Sequence, residues 1–551
     1  MRRITAISFC LLILGSAVKA QFGNVPLPVV QQPAFKTDTF NIKNFGAVND
    51  GVTLNTASIN KAISTCSQKG GGVVLVPGGL WLTGPIELKS NVNLHINRDA
   101  VLMFSADFNQ YPIVEGYYEG VKAGRCQSPI SGRNLQNIAI TGTGIIDGNG
   151  DAWRMVKKDK LNATQWQIKV ASGGMLSADQ KTWYPSEKSF IGSTAKEPGV
   201  LKEGVTLKDF EPYKDFLRPN MVALYGCNKI LLEGVTFQNS PAWNLHPLLC
   251  SNLTLRGVNV KNPWYAQNGD GIDLESSDHA LIENSTFDVG DDGICIKSGK
   301  GEQGRKLGKP TQDVIVRNCV VYHAHGGFVI GSEMSGGAKN IFVYNCSFIG
   351  TDVGLRFKTT RGRGGVVEKI YVNNINMKDI NAEAVLFDMY YEAKDPVVLA
   401  GEVREQPKVV MLPVTEATPQ FKDFHVSNIY CWGAQTALFI RGLPEMNIKG
   451  IYLDNMVITA KKGMVCTQAS DIHIKNFKMI LADTNPVMSI DESSNISLDG
   501  ISYNTNSDLL FKLSGAHTAG IAVSNTNTTQ AKKKVEFTDG ATARSIEINK
   551  N

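Results

Sequence analysis

One six-residue pattern recurs along most of this chain: apolar, any, apolar, any, Asn or Gly, then apolar or small. It reads "ILLEGV" at Gly234, "LTLRGV" at Gly257, "ALIENS" at Asn284 and "VIVRNC" at Asn318. It continues as "IFVYNC" at Asn345, "IYVNNI" at Asn374, "FHVSNI" at Asn428, "IYLDNM" at Asn455, "IHIKNF" at Asn476 and "ISLDGI" at Gly500, with an earlier copy, "IAITGT", at Gly142. From Gly234 onward, neighbouring units lie 21 to 34 residues apart, except for one gap of 54 between Asn374 and Asn428. Alternation of this kind predicts short strands, and no helical crossover pattern lies between them. Such a repeat is expected to stack as an all-β, right-handed parallel β-helix, one unit per coil, with the bend residues in a column. Asn suits that column because it tolerates the left-handed backbone region, and its amide can bond to the next Asn in the stack. A β-sandwich or propeller would need antiparallel hairpin signals, of which this chain shows few.

The flanks extend this reading. Residues 54–68, with Asn55 or Thr56 as a cap and Ile59, Ile63 and Cys66 on one face, predict a helix closing the amino-terminal end of the stack. Arg2 and Arg3, an apolar run from Ile4 to Leu14 and small residues up to Ala20 predict an export signal over 1–20, followed by a leader over 21–38. A single catalytic domain over 39–551 is then expected, interrupted by insertions at about 155–216 and 392–420. No later stretch is long and apolar enough to span a membrane. Removing the signal lowers the formal charge from +5 to +2, which argues against a polybasic nucleic-acid binder. Cys10 falls in the signal and nine cysteines remain. Mostly free, buried thiols are expected, with at most one or two disulfides. The absence of a CxxC pair argues against structural zinc.

Charged residues cluster on successive coils. Asp270 lies in "NGDG", and Asp291 and Asp292 lie in "GDDG" 21 residues later. His325, Arg356 with Lys358, and Tyr391 follow on the next coils. Adjacent Asp291 and Asp292 can face one cleft only if the backbone turns there, which the flanking Gly290 and Gly293 would permit. Crowded carboxylates can supply one protonated acid and one ionised base for glycoside hydrolysis. Neighbouring cations suit a substrate carboxylate and oppose a metal, so no metal or cofactor is expected.

These residues resemble the polygalacturonase family, glycoside hydrolase family 28. The resemblance rests on "NGDG" (268–271), "GDD" (290–292), "AHGG" (324–327) and "RFK" (356–358), with "IDGNGDAW" (146–153) and "SPAWNLHP" (240–247). It implies hydrolysis, with inversion and without metal, of α-1,4-galacturonosyl bonds in pectic polysaccharide or oligogalacturonide. It implies Asp291 as general acid, Asp270 and Asp292 as the water-activating pair, and His325 bonded near the acid. It also implies that Arg356, Lys358 and Tyr391 hold the sugar on the leaving side. Gly269 replaces the family's usual threonine, and "AHGGFVIGSE" with "GRKLGKP" resembles bacterial exo-acting members. Either the 155–216 insertion or the 299–312 loop is expected to close one end of the cleft, with Lys297, Arg361 or Arg363 meeting the terminal carboxylate. An exported monomer that removes galacturonic acid from chain ends is therefore expected. The competing readings are a hydrolase or galacturonidase of rhamnogalacturonan, a calcium-dependent pectate lyase, and a non-catalytic β-helix adhesin.

Overall fold

The computed structural model describes residue 22, residues 25–391 and residues 410–549. The expected signal and most of the 392–420 insertion lie outside the described residues. The chain forms a right-handed parallel β-helix. One sheet stacks 14 strands, from Ile86–Glu87 to Ala531–Thr538. Two further ladders run alongside it. They merge where strands such as Ala338–Ile349 pass unbroken through the bend, pairing with Thr311–Arg317 before it and Val320–Tyr322 after it.

The repeat is the register. Ile230, Leu253, Ala280, Val314, Ile341, Ile370, Phe424, Ile451, Ile472, Ile496 and Ile521 are successive partners up one ladder, and all are buried. Each large apolar side chain in such a file contributes about 1.5–3 kcal/mol by leaving water. A one-residue slip would turn the whole file outward, so the pattern fixes the pairing. The expected bend residues, from Gly142 through Asn476 to Gly500, all have positive φ. Amide bonds join Asn318 to Asn284 (3.1 Å), Asn374 to Asn345 (2.8 Å) and Asn455 to Asn428 (2.6 Å). The 54-residue gap spans a single coil step, because Asn373 pairs with Ser427 and Ile375 with Ile429.

A second left-handed column escaped the sequence reading. It runs through Asn252, His279, Asp313, Asn340, Lys369 and Asp423 at the strand starts, where mixed residue types hide the period. The capping helix spans Thr56–Gln68 and buries Ile59, Ala62, Ile63 and Cys66. Asn55 occupies its cap position, yet its side chain bonds to the backbone of Val48, Thr53 and Leu82 rather than to the helix. All nine cysteines among the described residues are free and buried.

The 155–216 region forms no coil. It holds a small antiparallel sheet (Val156–Lys157, Met175–Leu176, Thr182–Tyr184), the helices Ala163–Ala171 and Glu187–Thr194, and its own core of Val156, Trp166 and Trp183. A β-hairpin, Ile113–Tyr118 with Val121–Cys126, also stands off the coils. Its turn residues Glu119 and Gly120 both have positive φ (47° and 75°), the geometry whose twist suits a two-residue hairpin. Glu-Gly is not the usual Asn-Gly or Asp-Gly signal, so the hairpin was not legible from the residues alone.

Candidate active site

Ile272–Glu275, Ile294–Lys297, Gly326–Ile330, Val353–Lys358 and Glu383–Asp388 lie side by side in the 14-stranded sheet. Their inward residues, such as Ile272, Ile294, Phe328, Leu355 and Val385, fill the core. Alternation then turns Asp273, Cys295, Val329 and Arg356 to the opposite face, where they form the floor of a cleft. The turns entering these strands supply the wall. Ile272 pairs with Ile294, which aligns Asp270 with Asp292, and Ile294 pairs with Phe328, which aligns Asp291 with His325.

All seven residues picked from the sequence come together. One carboxylate oxygen from each of Asp270, Asp291 and Asp292 lies within 4.8 Å of the others. His325 Nδ1 lies 3.3 Å from Asp291 Oδ1, and its Nε2 lies 3.7 Å from Asp352 Oδ2. Arg356 donates to Asp292 Oδ1 at 3.0 Å and Lys358 to Asp292 Oδ2 at 2.8 Å. The Lys358 ammonium is 4.8 Å from the centroid of the Tyr391 ring. The backbone bends at Gly290 and Gly293 as expected, though neither has positive φ. A Cβ at 290 would lie 2.5 Å from the Pro263 carbonyl oxygen, and one at 293 would lie 2.4 Å from Val321 Cγ1. Close packing against neighbouring coils requires them.

The three acids are unlike. Burial, with the nearby charges of Asp273 and Asp291, pushes the Asp270 carboxyl well up. Its Oδ1 receives no hydrogen bond. Burial also penalises charge on Asp292, but Lys358 and Arg356 overcome it and hold that carboxyl far below its ordinary range. Burial raises Asp291 too, but hydrogen bonding and charge from His325 outweigh it, so the net shift is downward. The imidazole moves the opposite way: burial lowers it, and Asp291, Asp292 and Asp352 raise it further. Crowding was expected to raise the proton affinity of Asp291. The carboxyl that is raised is instead Asp270, while the contact between Asp291 and His325 lowers the acid and raises the imidazole.

Lys297, Arg361 and Arg363 do not present free charge at a cleft end. Lys297 is buried between Glu333 (2.9 Å) and Asp273 (3.5 Å), and Arg363 lies 3.4 Å from the same glutamate. Arg361 grips both oxygens of Glu445 at 2.6 and 2.8 Å. The residues that do line the amino-terminal side of the cleft were missed. There the hairpin forms a strap between the insertion and the loop after Lys297. Gly124 N–H donates to the Gly199 carbonyl at 2.7 Å, Leu201 N–H to Lys122 at 3.1 Å, and Lys300 N–H to Gly120 at 3.1 Å. The hairpin thus ties the insertion to the loop that follows the Asp291–Asp292 coil. Tyr118 stacks on Trp243 with ring centroids 5.2 Å apart, and Lys297 Nζ lies 5.1 Å from Trp243, so the strap packs beside the strand that carries Lys297.

Residues 212–426 match the family model described as "Glycosyl hydrolases family 28". A "Probable polygalacturonase" from Vitis vinifera is 30% identical over 78% of this chain and 77% of its own length. The chain belongs to glycosyl hydrolase family 28. It is therefore a glycoside hydrolase. An "Exo-poly-alpha-D-galacturonosidase" from Dickeya chrysanthemi is 28% identical over 84% of this chain and 74% of its own. The crystal structure of a hyperthermoactive exopolygalacturonase from Thermotoga maritima superposes with a TM-score of 0.64 at 28% identity, covering 86% of this chain and 94% of that one. A second family model, "Rhamnogalacturonase A/epimerase, pectate lyase-like", matches residues 39–196, amino-terminal to every acid of the site.

Proposed function

We propose that this glycosidase hydrolyses α-1,4-galacturonosyl bonds of polygalacturonate with inversion, removing galacturonic acid from the non-reducing end. The observation that carries the chemistry is the placing of Asp291 against His325 (3.3 Å) beside an Asp292 held by Arg356 and Lys358 (3.0 and 2.8 Å). The leaving oxygen takes a proton from Asp291, which His325 replenishes across their contact. Water held between Asp270 and Asp292 attacks the anomeric carbon from the other side and gives its proton to the ionised Asp292. Asp292 is a poor nucleophile because Arg356 and Lys358 occupy both its oxygens, which favours water over a covalent sugar. The donors these cations have left, including the unpartnered Arg356 Nε, hold the substrate carboxylate, with Tyr391 beside it. Proton NMR of the first-formed product decides the stereochemistry: the β-anomer is expected, and the α-anomer would overturn inversion.

Exo-attack rests on the strap, which leaves the amino-terminal side of the cleft without a way through for polymer. Reducing ends should rise on polygalacturonate while viscosity barely falls, with galacturonic acid as the first product by chromatography. A steep early viscosity drop would overturn this reading. The carboxylate cluster does not need a metal, because Lys358 and Arg356 already neutralise Asp292; EDTA should leave turnover unchanged. Loss of activity restored by calcium, with unsaturated products, would indicate a lyase. Rhamnogalacturonan remains the second substrate to assay, on the strength of the family match over residues 39–196. No helix among the described residues is long and apolar enough to cross a membrane. Export follows from the 1–20 segment, and mature protein should begin at Gln21. Sedimentation should report a monomer.

A further inference from the structure

The cleft does not stop at Arg356 and Lys358. Its floor continues in register up the 14-stranded sheet, where Arg356 pairs with Leu386, Leu386 with Phe439 and Phe439 with Val465. Strand alternation keeps these side chains on the outward face, and Phe439 and Val465 are only half-buried. The wall continues too. His325 N–H donates to the Asp291 carbonyl (2.9 Å) and Val353 N–H to that of His325 (3.2 Å). Ala382 N–H then donates to Asp352 (2.7 Å), Gln435 N–H to Ala382 (2.8 Å) and Lys462 N–H to Gln435 (2.8 Å). One unbroken backbone ladder thus joins the bend of the acid to the bend at Lys462.

Gln435, Lys461 and Lys462 are all exposed on that wall. Gln435 immediately precedes the strand that carries Phe439, and Lys462 opens the strand that carries Val465, so wall and floor belong to the same two coils. Neither lysine forms an ion pair with an acid among the described residues. Asp483, whose N–H donates to the Lys461 carbonyl at 2.8 Å, ends the positive stretch on the following coil. The strand of Arg356 and Lys358 follows the bend at Asp352, so the wall at Lys462 lies three coils beyond it, about 14 Å at the usual strand spacing. Two exposed lysines are ordinarily no more than a solvated bend. Here they stand over an apolar floor that runs in line from the reaction centre.

We propose that these two coils form a distal subsite for polygalacturonate. Sugar rings lie along Phe439 and Val465, and a uronate carboxylate several sugars past the scissile bond meets Lys461 and Lys462. This rests on the polygalacturonate reading above and extends it toward the reducing end. An exo-acting enzyme keeps all but the terminal sugar of its substrate on this side of the cut, so a long chain gains contacts that a dimer cannot reach. Exposed ammonium groups add modest affinity and steer the approach of a polyanion. The enzyme therefore prefers polymer to its own short products.

The test is kcat/KM on polygalacturonate and on digalacturonate, whose leaving sugar ends beside Arg356 and Lys358. Lys461→Gln together with Lys462→Gln should lower the polymer value roughly three- to tenfold and leave the dimer value unchanged. The loss should fade as salt is raised, and arginine at both positions should keep the polymer value. Lys478→Gln, which removes an exposed lysine from the strand Ala469–Leu481 of the other sheet, should change neither substrate. An unchanged polymer value in the double glutamine variant would overturn the proposal, as would an equal loss on dimer and polymer or an equal loss from Lys478→Gln. Wild-type enzyme that cleaves neither substrate would sink the polygalacturonate reading itself. Wild-type enzyme that cleaves both, matched by the double variant, would sink the distal subsite alone.

Discussion

The two ends of the cleft treat positive charge in opposite ways. On the carboxy-terminal side, from Arg356 to Arg441, every guanidinium or ammonium named here has an acid beside it: Arg356 and Lys358 share Asp292, Arg361 holds Glu445, and Arg441 holds Asp388 at 2.9 and 2.8 Å. On the amino-terminal side Arg125 and Arg218 have only carbonyls, an amide and a ring. The difference separates two uses of a buried cation. A neutralised one sets the ionisation of its partner and so tunes chemistry, whereas Arg125 and Arg218 spend donors on backbone carbonyls and Asn268 and so hold the hairpin and the turn before Asp270 together. Variants at the acid-paired end should therefore change turnover and its pH dependence, and variants at the closed end should change where along the polymer the enzyme cuts.

The largest effect lies between the two ends. Asp291→Asn keeps the shape but removes the proton donor, and should lower kcat on polygalacturonate by roughly 10²–10⁴-fold. Near-normal turnover would show that proton donation runs through another group, with Asp270, the acid whose proton affinity is raised, as the first suspect. Next comes the acid-paired end. Lys358→Ala removes a charge-assisted bond worth about 1.5–3 kcal/mol, so roughly a ten- to hundredfold loss is expected. Lys358 depresses the Asp292 carboxyl, so its removal lets that carboxyl rise, and the acid limb of the rate profile should move to higher pH. A loss confined to KM with an unmoved limb would show that Lys358 only binds substrate.

His325→Asn tests the other limb. The imidazole is raised by Asp291, Asp292 and Asp352, so the pair keeps its proton up to a pH above the ordinary histidine value, and activity is lost as pH rises through that raised value. Without the imidazole, Asp291 must hold the proton alone. The alkaline limb should then fall to lower pH, with about a tenfold loss at neutral pH and less at pH 5. At the closed end, replacing residues 116–123 with a short linker opens the strap. The viscosity drop per bond cleaved should steepen several-fold, with little change in the pH limbs. Unchanged viscometry would mean that the insertion alone closes the cleft.

The fold was legible because a solenoid repeats one local decision. Each bend Asn or Gly states its own backbone conformation, and alternation states the face. Asp291 and His325 were legible because each lies seven residues after its bend, so the stack turns spacing into proximity, and the other five were legible through the family resemblance. What the sequence hid has no such period. Nothing in "IVEGYYEGVKAGRC" says that Arg125 will lie over Tyr118 and beside Arg218, 93 positions further on. The pairing of Lys297 with Glu333 likewise depends on which side chain of an adjacent coil reaches the floor. The state of the three acids was the hardest to read, because it follows from which of them meets Lys358, His325 or no donor at all.

The smallest predicted effect tests whether the scaffold, rather than the cations, makes the two ends differ. Asn318 is the bend of the coil that carries His325 and Asn455 lies well beyond it, and both adopt positive φ and donate to the preceding Asn. Alanine at either position loses that bond and meets the left-handed penalty of a Cβ, together about 1–2 kcal/mol. Glycine loses the bond but not the backbone fit, and should cost less. Because coils interact chiefly with their neighbours, the two alanine variants should show similar falls in urea midpoint and unchanged product profiles on polygalacturonate. If Asn318→Ala instead shifted the product pattern while Asn455→Ala did not, the end preference would depend on local coil geometry. The contrast between paired and unpaired cations would then be a consequence of the architecture and not its cause.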